Sequence, residues 1–352
     1  MKSRTIYIDY LRCFAAFAVV AIHICAMNWY TDSVDLNWHI INFYDSIVRW
    51  SVPVFVMISG ALFIPREIEI KVLLKKYILK MVICFFVWSL FYAVLNNIIR
   101  NALANEPFDI SSALVTLING NHHMWFIPMI IGLYLCLPIF RKIALSPELM
   151  KYFLVISFIF AFCVPEALNL LIDLSNGIIK SGFKEIKTSF ENMHLDVLTG
   201  YGFYFVLGYF LDTLIITKKA KKIILFSGSC AFLLTVALSA IVSEIKGKPC
   251  STYYENFTVN VALEALLIFV IFKQLNYNNC RNNQFVQKLS KLCFGVYLIH
   301  PALIEFLNFV HIDTLTINPV ISIALLSLFV TAVAFLISFL ISKIPFLNKW
   351  II

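Results

Sequence analysis

The chain has 352 residues, of which 61% are hydrophobic and 14% charged. A water-soluble domain cannot bury that share of apolar side chains, so a soluble protein is excluded and an integral membrane protein is expected. The formal net charge of +8 is no nucleic-acid footprint, because the lysines and arginines cluster in short gaps between apolar runs, as they do in cytoplasmic loops.

The first apolar run, Ile6 to Trp29, reads IYIDYLRCFAAFAVVAIHICAMNW. About 20 such residues cross a bilayer as one helix. The run is too long for a secretory signal peptide and lacks a small-x-small cleavage site. It also carries Asp9, Arg12 and His23. An ionisable group costs about 2.5–3.5 kcal/mol near the middle of such a helix, which makes each one a functional hypothesis. Helical geometry puts Arg12 and His23 on one face, about 20° apart in angle and about 16 Å apart along the axis. Asp9 falls on the same stripe, one turn before Arg12, and Ala15, Ala16 and Val19 keep that side slim. The blander reading has Arg12 snorkelling to headgroups and His23 packed as a helix–helix hydrogen-bonder.

Apolar length predicts ten spanning helices, near 7–28, 42–64, 77–99, 124–140, 150–171, 199–217, 223–243, 256–273, 290–309 and 319–341. They form one transmembrane domain over residues 1–352, with no internal repeat. The second run, YDSIVRWSVPVFVMISGALFIP, pairs Asp45 with Arg49 at helical spacing, and Pro53 is expected to kink it. Arg49 is expected at the depth of His23, and Ser59-Gly60 allow close helix approach. Lys75, Lys76 and Lys80 open the third run. His122 and His123 precede the fourth and read as solvated interfacial residues. In the ninth, His300 is followed by Pro301 and reads as repair of backbone loosened by the proline; Glu305 lies further on. Glu166, Asp212 and Glu264 are the other acidic groups expected inside.

Alternate gaps differ in charge. One set holds Lys2, Arg4, Arg66, Lys71, Lys75, Lys76, Lys80, Arg141, Lys142, Lys151, Lys218, Lys219, Lys221, Lys222, Lys273, Arg281, Lys288, Lys291, Lys343 and Lys349. The other holds only Arg100, Lys180, Lys184, Lys187, Lys246 and Lys248. Both termini are therefore expected in the cytoplasm, with Arg12 near the cytoplasmic surface and His23 in the outer third. His39, His122, His123, His194 and His311 share that outer bias. The nine cysteines show no CxxC spacing and imply no disulfide framework. The histidines lack metal-ligand spacing, so no metal is expected.

Asp9-Tyr10-Leu11-Arg12 followed by His23 resembles the opening of the membrane acyltransferase family 3. SVPVFVMISG from Ser51 to Gly60, HMWFIP from His123 to Pro128 and FGVYLIHP from Phe294 to Pro301 resemble its later landmarks, in order and over nearly the whole chain. The VPVFVMISG wording, with no extracytoplasmic domain read in the chain, is similar to the surface-polysaccharide O-acetyltransferase branch, which includes the enterobacterial-common-antigen O-acetyltransferase. The resemblance implies a cytoplasmic acyl-CoA donor, acetyl-CoA in that branch. It implies an acceptor hydroxyl on an envelope glycan or lipid-linked saccharide, and a multi-pass place in the inner (cytoplasmic) membrane. It also implies that Arg12 helps to hold the donor and that His23 acts at the acyl group. Where the family carries arginines at the start of the third helix, this chain has Lys75, Lys76 and Lys80, which neutralise phosphate without arginine's bidentate fork.

Elementary chemistry reaches a compatible expectation. A cationic cytoplasmic end can hold a polyanionic coenzyme head, and the slim side of the first helix would admit its thin arm. An imidazole in the outer third can take the proton of an acceptor hydroxyl or carry the acyl group itself; both routes stay open. Glu305 or Glu166 could orient the ring, and Arg49, Tyr297 or His300 could face the developing oxyanion. The alternatives from other classes are a transporter or flippase of lipid-linked sugar, for which intramembrane charge and a broken helix are also features, and an acyl-CoA-gated sensor.

Overall fold

A computed structural model describes residues 6–193, 200–275, 277 and 283–350. Lys2, Arg4, His194 and Arg281 of the charge and histidine patterns lie outside them. Among the described residues every regular element is helical: α1 (Ile6–Ala26), α2 (Leu36–Ser46), α3 (Ser51–Phe63), α4 (Ile70–Val72), α5 (Leu79–Ala104), α6 (Ile110–Asn119), α7 (Phe126–Leu135), α8 (Leu137–Leu145), α9 (Pro147–Phe158), α10 (Val164–Leu174), α11 (Gly177–Glu191), α12 (Tyr201–Thr213), α13 (Lys218–Lys246), α14 (Val259–Gln274), α15 (Asn283–Phe309), α16 (Pro319–Ser342) and α17 (Pro345–Trp350). In a hydrocarbon slab every backbone donor and acceptor must be satisfied within the chain, which helices achieve locally.

The protein is an all-α integral membrane protein. Eight described helices are long and apolar enough to cross a bilayer, or nine if the bent pair Ile110–Leu135 and Leu137–Leu145 counts as one span. Three segments depart from the expected ten. The run near 199–217 appears as α12, only 13 residues long. The run near 124–140 belongs to the pair that bends by 56°. The run near 42–64 begins earlier, at Leu36, and breaks over residues 47–50. There Val48 and Arg49 donate to the carbonyls of Asp45 and Ser46 in tight turns. Pro53 therefore does not kink a helix. It sits in the first turn of α3, where its missing N–H would have had no intrahelical partner.

Contacts divide the chain into two compact units, each built from separated stretches: Met1–Asn28, Glu67–Cys136 and Tyr277–Ile352 in the first, Trp29–Arg66 and Leu137–Asn276 in the second.

In the first unit α1 packs against α15 and α16, and α5 against α6, α7 and α15. The outward side of α16 carries Leu325, Leu328, Phe329, Leu336, Phe339 and Leu340, all exposed. Its inward side carries Ser322, Ser327, Thr331 and Ser338, all buried. That is the reverse of a water-soluble helix. Small hydroxyl residues let backbones approach, and Ser338 donates to the Leu292 carbonyl on α15 at 3.0 Å. Pro301 inside α15 removes a backbone donor. Around it, the Tyr92 hydroxyl of α5 donates to the Leu298 carbonyl at 2.6 Å, and the His300 ring bonds the Val296 carbonyl. Between α5 and α6, the carboxylate of Asp109 accepts the Ser112 N–H as an N-cap. That bond, with Arg100 beside it, holds Asp109 below the ordinary carboxyl range.

In the second unit α3 and α12 touch at the backbone. A Cβ on Gly60 would fall 1.7 Å from the Phe205 carbonyl oxygen, and one on Gly208 would fall 1.9 Å from that of Met57. The Ser59-Gly60 pair thus does permit the expected close approach. Lys273 closes the C-terminal end of α12 by donating to the carbonyls of Leu211, Asp212 and Leu214 at 2.5, 2.8 and 2.8 Å. Glu264, fully buried, accepts from Thr235. Asn260 donates to Thr235 and to the Tyr253 carbonyl, each at 2.7 Å. The eight described cysteines are all free thiols.

Candidate functional site

Within the first unit, four of the chain's seven histidines come together. His23 comes from the last turn of α1. His122 and His123 come from a short 3-10 turn, His122–Trp125, whose entry is capped by Asn121. His300 comes from the middle of α15, just before its proline. The His23 ring centroid lies 4.9 Å from that of His300, 5.6 Å from His122 and 6.5 Å from His123. His122 and His123 are 5.6 Å apart, and His123 and His300 are 5.7 Å apart. The sequence singled out His23, read His122 and His123 as solvated interfacial residues, and read His300 as backbone repair with an oxyanion role left open. The structure brings all four together, and His123 is buried rather than solvated.

Two tyrosines brace the cluster. Tyr92 packs edge-on to His123 at 5.0 Å, and Tyr297 at 5.4 Å. The Tyr297 hydroxyl donates to the His123 carbonyl at 2.8 Å, which fixes the 3-10 turn against α15. Among the described residues, both ring nitrogens of His123, Nε2 of His300 and Nδ2 of Asn121 are buried without a hydrogen-bond partner. Buried polar atoms are almost always paired, so this concentration marks a site rather than a packed core. No group of three or more His, Cys, Asp or Glu among the described residues has metal-binding geometry.

The bonds already made restrict each group's role. A neutral imidazole has one N–H. That of His300 is on Nδ1, because its partner at 3.1 Å is a carbonyl oxygen, which can only accept. The single O–H of Tyr297 is likewise committed. Neither is left to face an oxyanion, in contrast to the expectation from sequence. Asn121 differs. Its Oδ1 accepts the His122 backbone N–H at 2.9 Å, which orients the amide and leaves the NH2 group unspent.

Glu305, four residues past Pro301 on α15, is half-buried and acts electrostatically on His122 and Tyr92. Glu166 lies in the other unit, where its carboxylate accepts the Val259 N–H at 2.7 Å and so caps the start of α14. That fixes it in a structural role. Arg49, also in the second unit, is paired with Asp45 as the spacing predicts, and its guanidinium lies 3.5 Å from the Tyr254 ring centroid. The Asp45 carboxylate is fully buried and Arg49 is its counter-ion.

At the other end of α1, Arg12 is half-buried and donates to Ser290 of α15 at 3.4 Å. Ala15, Ala16 and Val19, between Arg12 and His23, are all buried. The slim side of α1 is therefore closed by packing rather than open to water. Lys75 and Lys76 are exposed on a six-residue π-helical stretch, Leu73–Ile78, and half-buried Lys80 follows in the first turn of α5. A π-turn widens the helix at a cost in hydrogen-bond geometry and recurs at functional sites. The lysines thus enter α5 on an irregular segment, which packs against α7.

A family model described as an acyltransferase domain, that of acyltransferase family 3, matches residues 5–343. No curated protein and no solved structure matches the chain.

Proposed function

The chain belongs to the membrane acyltransferase family 3, and from that premise we propose that it moves an acetyl group from cytoplasmic acetyl-CoA to a hydroxyl of an envelope glycan or lipid-linked saccharide. Its place is the inner membrane, with both termini in the cytoplasm. Arg12, with Lys75, Lys76 and Lys80, holds the polyanionic head of the donor. The acetyl end reaches His23 once the side of α1 carrying Ala15, Ala16 and Val19 separates from its packing. His23 then takes the proton of the acceptor hydroxyl as its oxygen attacks the thioester carbon. The C–S bond breaks, and the coenzyme leaves as a thiolate that takes the proton back from His23. Glu305 sets the field around His122. Arg49 serves the reading as the neutralised partner of Asp45.

One observation carries this reading: a titratable ring on α1 sits within 4.9–6.5 Å of three other imidazoles, with unpaired buried nitrogens among them. The test is to incubate the purified protein with labelled acetyl-CoA and lipid-linked glycans. Transfer is expected in the wild type, with at least a hundredfold loss in His23→Ala and a raised KM for the donor in Arg12→Ala. Transfer that survives His23→Ala unchanged rejects the site. Accumulation of glycan in vesicles without any acyl donor would favour transport instead.

A further inference from the structure

His300 is the most constrained member of the cluster. Its ring is fully buried, and its Nδ1–H is spent on the Val296 carbonyl one turn back in the same helix. That bond fixes the tautomer, so Nε2 carries a lone pair and no proton. Among the described residues Nε2 meets no donor. A buried acceptor left without a donor is costly, and a chain keeps one where a donor arrives during function. The His23 ring lies 4.9 Å from that of His300, nearer than His123 at 5.7 Å or Tyr297 at 6.3 Å.

We propose that His300 is the positioning residue for His23: its locked Nε2 lone pair accepts one N–H of His23, so that the other nitrogen of His23 is held unprotonated toward the reacting groups. The inference rests on the acyltransferase reading for its chemistry. When the acceptor O–H bond breaks, the proton passes to the other, unprotonated nitrogen of His23, which becomes an imidazolium. The neutral lone pair of His300 faces the second N–H of that cation and stabilises it until the departing coenzyme thiolate removes the proton. No proton moves onto His300. Its role is that of the third member of a nucleophile–base–orienter set, filled by a tautomer-locked histidine instead of a carboxylate. Catalytic hydrogen bonds commonly shorten only when substrate is bound, so the ring separation is compatible with a bond that closes on binding.

The surroundings favour this partner. Of the elements packed around the pair, α16 offers no titratable side chain. The Tyr92 hydroxyl of α5 and the Tyr297 hydroxyl of α15 are each committed to carbonyls. His122 shares its Nδ1 with Asn121, and Glu305 acts on His122 and Tyr92.

The test uses the full-length protein in lipid nanodiscs, labelled with 15N at histidine, whose imidazole shifts report which nitrogen is protonated. The wild type is expected to show His300 protonated at Nδ1 and His23 in a single tautomer. His300→Leu should turn His23 into a mixture of both tautomers, and His300→Gln, which offers a carbonyl acceptor, should restore a single one. With acetyl-CoA and a host glycolipid extract, kcat should fall about a hundredfold or more in His300→Leu with KM for acetyl-CoA unchanged, and recover in part in His300→Gln. A merely structural role would lower the yield of folded protein but leave the tautomer of His23 alone. Two results overturn the inference: a His300 protonated at Nε2, which the wild type alone reveals should His300→Leu not fold, and a His23 tautomer unmoved in His300→Leu. Absence of turnover in the wild type instead counts against the acyltransferase reading, and the spectra still decide the positioning role.

Discussion

Asn121 combines two roles in one side chain. Its Oδ1 caps the 3-10 turn by accepting the His122 N–H at 2.9 Å. A backbone N–H can only donate, so the amide cannot flip, and its NH2 group stays buried and unpaired among the described residues. A thioester carbonyl that becomes tetrahedral needs such donors, and removing one costs about 10²–10³ in kcat where this has been measured. Asn121→Asp keeps an equally good capping oxygen and, as a carboxylate, has no N–H to donate. The expected result is a fall in kcat of that order with little change in melting temperature; equal losses in both would make Asn121 a cap alone. Arg12 and His23 were legible in the sequence because one period, 3.6 residues, relates them on one helix. His122, His123 and His300 were not, because periodicity places residues on a face and says nothing about which helices meet. The Pro301 neighbour offered an ordinary explanation for His300, and that explanation is half right: Nδ1 does bond backbone, while Nε2 is left over. Beyond the family landmarks that contain His123 and His300, the hint was compositional, in that most histidines fell toward one side of the membrane.

At the scale of elements, α3 and α12 are held by reciprocal glycines. Each glycine Cα sits against a backbone carbonyl of the other helix, Phe205 for Gly60 and Met57 for Gly208. Backbone cannot rotate away as a flexible side chain does, so a single methyl forces the helices apart. Overpacking of this kind costs about 1–3 kcal/mol, occasionally more, and both Gly60→Ala and Gly208→Ala are expected at the upper end. Gly132→Ala on α7 is the control. A Cβ there meets nothing within 4 Å, and alanine is the better helix former by about 1 kcal/mol. Thermal unfolding in one detergent should rank Gly132→Ala at or above the wild type and the other two well below; three equal melting points would refute the backbone contact. The sequence announced this contact through Ser59-Gly60. It misplaced the break in the preceding segment, because a proline in an apolar run reads as a kink. The chain instead ends α2 before residue 47 and restarts at Ser51, where Pro53 costs no hydrogen bond.

At the scale of the whole molecule, large apolar side chains left exposed on α5 and α16 have no explanation in water, and lipid supplies one. Orientation then rests on charge. α13 is 29 residues long, about 43 Å at the helical rise against a hydrocarbon core of about 30 Å, so its two ends emerge on opposite sides. Lys218, Lys219, Lys221 and Lys222 crowd its first turns. At its other end Lys246 is neutralised by Asp173 at 3.0 Å, and Gly247 turns the chain in a left-handed C-cap. The cluster of four, which makes no ion pair among the described residues, should stay inside, because moving four lysines across a membrane is more costly than moving the paired Lys246 together with Lys248. In a background with the native cysteines replaced, Lys248→Cys and Lys219→Cys place a thiol at each exposed end of this one helix. A membrane-impermeant maleimide applied to intact cells should label Lys248→Cys directly and Lys219→Cys only after permeabilisation. The reverse pattern would overturn the orientation read from charge and put the Lys218–Lys222 end of α13 outside.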